Sequence, residues 1–167
     1  ARAGIGRTFQ LPRVADVLTV RQSVMCGYPP VAHLGERIEW LMARFGVADK
    51  ADAPIGTLSF GRRRRAEIVR ALVRLPELLL VDEAVAGLED EEVVELIGLL
   101  LELQAAEGWG LVVVEHDLSF VTGIAQDLMV MEDGIVIAEG PLDAVLADDR
   151  VRRIYLGETE SPDAVPA

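Results

Sequence analysis

The run Leu78-Leu79-Leu80-Val81, followed at once by Asp82-Glu83, constrains this chain more than any other stretch. Four aliphatic residues in a row read as a short strand buried on both faces of a sheet, because a half-exposed strand alternates apolar and polar side chains. Carboxylates are costly to bury. A pair of them directly at the end of such a strand predicts a site at the sheet edge, where open α/β sheets bind their ligands. Taken alone, the same run also fits a strand that leaves the core through polar residues.

Leu111-Val112-Val113-Val114 repeats the pattern, a second buried strand followed by Glu115-His116-Asp117. Between the two, residues 91–107 read as a long, Leu-rich, broadly buried helix ended by Gly108 and Gly110. Earlier in the chain, Ile5 to Gln10 predicts a short strand running into a loop at Pro12. Thr19 predicts an N-cap for a helix reaching about Met25. Leu34, Ile38, Leu41, Met42 and Phe45 have helical spacing, ended by Gly46, with Trp40 off the centre of that face. His33 reads as a loop residue. A further helix follows Ser59 and runs to about Leu75, where Pro76 forbids continuation. After a short helix near Ser119–Ala125, Asp133-Gly134 predicts a two-residue turn joining strands at 128–132 and 135–139. Two short helices, 142–146 and 150–156, come next, and the polar tail 158–167 is expected to be mobile.

The first 75 residues are thus mainly helical and the remainder alternates strand and helix, which predicts a parallel sheet with right-handed crossovers. The expected divisions are 1–18, a strand and loop of the core; 19–75, a helical subdomain; 76–157, the α/β core; and 158–167, the tail.

Length and composition, 167 residues with 51% hydrophobic, suit a domain with a substantial core. No apolar run approaches the ~20 residues of a membrane span. Cys26 stands alone and excludes an internal disulfide; it reads as a small, buried or half-buried side chain in a reducing compartment. A net charge of −12 argues against a nucleic-acid partner.

Four segments carry a resemblance when read together. Leu58-Ser59-Phe60-Gly61-Arg62-Arg63-Arg64-Arg65-Ala66-Glu67-Ile68-Val69-Arg70-Ala71-Leu72 resembles the signature segment of ATP-binding cassette (ABC) ATPases. Leu78 to Leu88 resembles their Walker B strand, His116 their switch histidine, and Gln10, after Thr8-Phe9, their Q-loop glutamine. Each motif alone is weak, but the four are in order across almost the whole chain. The resemblance implies an α/β fold of P-loop NTPase type: an ABC cassette fragment with a parallel sheet core, a helical subdomain and a C-terminal β-hairpin. It implies ATP and Mg²⁺ as cofactors, with Asp82 and Gln10 toward the metal, Glu83 orienting or deprotonating the attacking water, and His116 contacting the γ-phosphate. Ser59 and Gly61 would meet nucleotide held by a second cassette, at a helix N-terminus that suits phosphate. Without the family pattern they read as a plain N-cap followed by a solvated basic face, Arg62 to Arg65.

Gly4-Ile5-Gly6-Arg7-Thr8-Phe9-Gln10, the Ser59-Phe60-Gly61 signature with its following arginines, Ala86-Gly87-Leu88 and Ile154-Tyr155-Leu156-Gly157-Glu158 look most like ATPase subunits of branched-chain amino acid importers, and related cassettes for urea or other small amides look similar. That implies transmembrane permease subunits and a second cassette, identical or not, as partners. The expected location is peripheral, on the cytoplasmic face of the plasma (inner) membrane. Departures from the family pattern are Ala84 in place of the usual Pro, Arg62 in place of the usual Gln, and Glu89 or Asp90 at the acidic position of the following loop. The Gly-rich loop ending in Gly-Lys-Ser/Thr (Walker A) does not occur in these 167 residues, so the chain reads as the larger, C-terminal part of one cassette, expected to be inactive by itself. A non-catalytic cassette remnant or interaction module is the alternative. A DNA-repair or translation ATPase is disfavoured, because only about 50 residues separate Gln10 from Ser59, too few for the insertions of those relatives, and by the acidic charge.

Overall fold

The computed structural model describes residues 4–8, 16–26 and 32–155. The chain divides into two compact units, residues 1–123 and 124–167.

In the first unit, strands β1 (Ile5–Arg7), β2 (Leu78–Asp82) and β3 (Gly110–Val114) form a parallel sheet in the order β1-β2-β3. The register sets Arg7 beside Leu80, Leu80 beside Val112, and Asp82 beside Val114. Side chains alternate across a strand, so Ile5, Leu78, Leu80, Asp82, Val112 and Val114 share one face. The opposite face carries Leu79 and Val81, at most 1% exposed. It is covered by α3 (Phe60–Leu72), which packs on β1 and β2. The first face is open, with Ile5 at 41%, Val112 at 49% and Val114 at 60% exposure. The expectation of strands buried on both faces is therefore corrected: β2 is covered on one side, and β3 lies at the edge of the described sheet with alternate residues exposed. A continuous aliphatic run marks a strand that can be buried twice, and does not say which layers lie over it.

The helical part follows the sequence closely. Helix α1 (Val20–Met25) is capped as predicted: Thr19 Oγ1 accepts from Gln22 N–H at 3.1 Å, and Gln22 Oε1 accepts from Thr19 N–H at 2.9 Å. Helix α2 (Ala32–Arg44) buries Ile38, Leu41 and Met42, with Phe45 just beyond it, and leaves Trp40 49% exposed. His33 falls in this helix, not in a loop, because the helix starts two residues before its apolar stripe. Cys26 is exposed, so the burial expected of it is also corrected. Helix α3 stops at Leu72, short of the predicted Leu75, which takes a left-handed φ of +50°. Leu75 precedes Pro76, whose ring disfavours the right-handed helical region one residue earlier. The carbonyls left free there are satisfied from α2: Arg37 donates to Leu72 O at 2.9 Å and to Val73 O at 3.2 Å. The same guanidinium pairs with both oxygens of Glu107, at 2.8 and 2.9 Å, so one side chain fastens α2 to the ends of α3 and α4.

Helix α4 (Asp90–Glu107) buries Val93, Leu96, Leu99, Leu100 and Leu103, a single stripe, while Val94 is 70% exposed. Burial is confined to that stripe where broad burial was expected, and Leu101 is exposed as well. Helix α5 (Leu118–Ile124) starts at Asp117, whose Oδ1 accepts from Phe120 N–H at 3.0 Å.

The second unit holds the antiparallel hairpin β4 (Asp127–Glu132) and β5 (Ile135–Pro141), then α6 (Leu142–Leu146) and α7 (Asp149–Tyr155). Asp133 and Gly134 both have positive φ, +49° and +79°, which is the mirror-image turn that matches the twist of a tight hairpin. Val130, Val145 and Val151 form its core, with Leu128, Ile137 and Ala138 packed against them. The tail at 158–167 lies outside the described residues. Among the described residues, no helix is long and apolar enough to cross a membrane.

Candidate functional site

Parallel register brings the chemistry together. Asp82 ends β2 beside Val114, which ends β3, so the residues that follow both strands leave the sheet at one edge. Glu83 N–H donates to Val114 O at 2.9 Å, carrying the pairing one residue past the strand. His116 Nδ1 lies 4.0 Å from Glu83 Oε1. This is proximity, longer than a hydrogen bond. The glutamate side chain is 29% exposed and the imidazole 72%, so solvent reaches both. Asp82 lies one residue before Glu83; its Oδ2 is 3.7 Å from Arg7 Nη2, with the carboxylate about one-third exposed. A pair this open contributes at most about 1 kcal/mol.

The backbone beneath these groups is held from three directions. Thr8, fully buried and one residue past β1, accepts from Asp82 N–H through Oγ1 at 3.1 Å. Arg64 enters from α3: its Nη2 donates to Glu83 O at 2.6 Å and lies 3.3 Å from Asp82 O, while Nη1 donates to Glu67 Oε2 at 2.9 Å. Glu115 Oε1 accepts from Val85 N–H at 3.1 Å, and its Oε2 is buried with no hydrogen-bond partner. Burial pushes the Glu115 carboxyl above the usual carboxylate range, partly offset by backbone N–H groups at Val85 and Ala84. Asp117 moves the other way: Ser119 Oγ, then Phe120 N–H, hold its carboxyl below the usual range.

Ser59 and Gly61 are not part of this cluster. Ser59 caps α3, accepting weakly from Arg62 N–H at 3.4 Å. Gly61 is packed so tightly that a Cβ there would stand 2.7 Å from Leu88 Cδ2 and 3.2 Å from Glu92 Oε1. The start of α3 therefore abuts the segment that leads into α4, where Glu92 Oε2 accepts from Glu89 N–H at 3.2 Å. The basic run is a solvated face only at Arg62 and Arg63: Arg64 is fully buried and Arg65 is 7% exposed, with Arg65 Nη2 paired to Glu95 Oε2 at 2.5 Å. Gln10 lies outside the described residues.

Sequence reasoning missed Thr8, Arg64 and Glu115. The signal for Arg64 was present in its i,i+3 spacing to Glu67 on a helix otherwise turned to the core. Thr8 and Glu115 are single polar residues at strand ends, and only the register shows what they hold.

Chemically, the set combines one carboxylate at a strand end and a second placed near an exposed imidazole, both carboxylates partly reached by solvent. Mg²⁺ is commonly held by one or two carboxylates together with water and phosphate oxygens, so Asp82 alone is a fitting protein donor. Glu83 suits a general base, and the imidazole suits a donor to a phosphoryl oxygen.

Comparison with known proteins identifies the family. Residues 1–86 match the family model for ABC transporters, and residues 136–161 match that for branched-chain amino acid ATP-binding cassette transporters. The chain is 30% identical to the high-affinity branched-chain amino acid transport ATP-binding protein LivG of Escherichia coli K12, over 95% of this chain and 69% of that protein. It is 32% identical to the methionine import ATP-binding protein MetN of Symbiobacterium thermophilum, over 96% of this chain and 50% of that protein. A crystal structure of a nucleotide-free ATP-binding cassette from an ABC transporter superposes with a TM-score of 0.80 at 29% identity, covering 94% of this chain and 70% of that one.

Proposed function

Because this chain belongs to the ABC transporter family, as an ATP-hydrolysing cassette subunit, we propose that it supplies the energy for an importer of branched-chain amino acids. The observation that carries the catalytic part of the reading is the placement of Glu83 against His116 at neighbouring strand ends, one residue beyond Asp82. In this reading Asp82, with Gln10, holds Mg²⁺, which neutralises charge on the phosphates of bound ATP. Glu83 orients or deprotonates the attacking water. His116 donates to the terminal phosphoryl group, whose negative charge spreads over its oxygens. Ser59 and Gly61, at the start of α3, face nucleotide bound by a second cassette, so hydrolysis depends on the two closing together. Transmembrane permease subunits are the other partners, with the cassette bound peripherally at the cytoplasmic face.

The choice of solute rests on the match of residues 136–161 and on the similarity to LivG; the similarity to MetN makes methionine the competing solute. Two experiments test the reading. Full-length protein carrying Glu83→Gln is expected to bind Mg·ATP yet hydrolyse it about 100-fold more slowly or worse; near-normal turnover removes Glu83 from its role. Cells lacking the gene are expected to lose high-affinity uptake of labelled leucine, isoleucine and valine while keeping methionine uptake. The reverse pattern reassigns the solute.

A further inference from the structure

Glu83 adopts φ +46°, a left-handed conformation that costs an L-residue with a long side chain about 1–2 kcal/mol. Such strain persists only where the surroundings enforce it. Here the two backbone polar groups of Glu83 are both taken: its N–H by Val114 O at 2.9 Å and its carbonyl by Arg64 Nη2 at 2.6 Å. The Arg64 side chain is 1% exposed, its charge is balanced by Glu67, itself 1% exposed, and Glu67 also meets Arg70 Nη2 at 3.5 Å. A buried guanidinium with a buried counter-ion is a costly device. It does one local thing that an apolar side chain cannot: one terminal nitrogen, Nη2, reaches two successive carbonyls while the other, Nη1, stays on Glu67.

We propose that Arg64 is a positioning residue for Glu83, holding the turn after β2 in the strained form that aims the Glu83 carboxylate toward His116. This rests on the reading of Glu83 given above. Arg64 lies on α3, five residues after Ser59, so the helix that presents Ser59 and Gly61 also holds the acid of its own subunit. A displacement of α3 would then misplace Glu83 without touching the nucleotide.

The test uses full-length protein and two variants. Arg64→Lys keeps a positive charge beside Glu67 but loses the fork; Arg64→Met/Glu67→Met removes the buried pair together, a change that cores often tolerate. The variant whose melting temperature stays nearer the parent is carried forward. The expected result is a fall in kcat of about 10- to 100-fold, as for a small misplacement of a reacting group, with Mg·ATP affinity within about threefold of the parent. The decisive readout is a cycle with Glu83→Gln, followed by single-turnover hydrolysis. If Arg64 acts through Glu83, its substitution slows the parent but not the Glu83→Gln protein. An equal factor in both backgrounds, or a parent-like kcat in the variant, overturns the positioning role while leaving Glu83 in place. Normal turnover in Glu83→Gln by itself overturns the underlying reading instead.

Discussion

Thr8→Val changes one hydroxyl for a methyl and keeps the shape of the side chain. Thr8 is fully buried, and its Oγ1 accepts from the N–H of Asp82 at 3.1 Å. Its own N–H donates to Leu80 O at 2.9 Å, a bond that valine retains. The substitution therefore removes one acceptor and leaves a partly buried backbone donor without it. Stranding such a group costs about 1–3 kcal/mol. At about 2–4 °C per kcal/mol for a chain of this size, the melting temperature should fall by roughly 2–12 °C. The stranded donor belongs to Asp82, so its backbone must move to find another partner, and kcat should fall with stability. Thr8→Ser is the control. It keeps the hydroxyl and loses one buried methyl, at about 0.5–1.5 kcal/mol, and should leave kcat near the parent value. Thermal melts and steady-state ATPase assays on the full-length protein read both quantities. If the valine variant melts and turns over like the parent while the serine variant loses activity, the hydroxyl does not hold Asp82 and the argument fails.

Three further outcomes follow from the same geometry. Burial raises the Glu115 carboxyl above its unfolded value, so the charged form is disfavoured in the folded protein; its penalty is absent at acid pH and grows as pH rises through the raised value. Glu115→Gln, which keeps an oxygen for Val85 N–H, should melt higher than the parent at neutral pH and no higher at acid pH, and a pH-independent difference would contradict this. Asp117 has the opposite sign, its carboxyl lowered by Ser119 and Phe120, so its contribution is present above the unfolded carboxylate value and lost as pH falls through the lowered one; Asp117→Ala should cost about 0.5–2 kcal/mol at neutral pH, shrinking in acid, as read by denaturant unfolding. The open sheet face carrying Ile5, Val112 and Val114 should make the 167-residue chain self-associate, and a monodisperse monomer by light scattering would argue against that.

The sequence made legible those elements whose signals are local. The Thr19 capping box, the apolar stripe of α2 and the Asp133-Gly134 turn each lie within a few residues, and each formed as read. The placement of Asp82, Glu83 and His116 at neighbouring strand ends was also readable, because carboxylates and an imidazole directly after aliphatic runs are conspicuous. What could not be read depends on register and layering. The same aliphatic pattern serves a strand covered on one face or on two, so the exposure of Val112 and Val114 was invisible. Thr8 meets Asp82 only because β1 pairs with β2 in one register, and Glu115 meets Val85 only because β3 ends beside β2. Arg62 to Arg65 look alike in sequence, yet Arg64 and Arg65 are buried because their positions on α3 face the sheet and α4 rather than solvent.

In the proposed mechanism Asp82, Glu83 and His116 converge on the terminal phosphoryl group of ATP. A crystal structure of the full-length Glu83→Gln protein with Mg·ATP tests it most directly. The terminal phosphate should lie within hydrogen-bond distance of the His116 imidazole, with the metal on the Asp82 side and residue 83 facing the position of the attacking water. Nucleotide bound with its terminal phosphate away from this sheet edge would contradict the account.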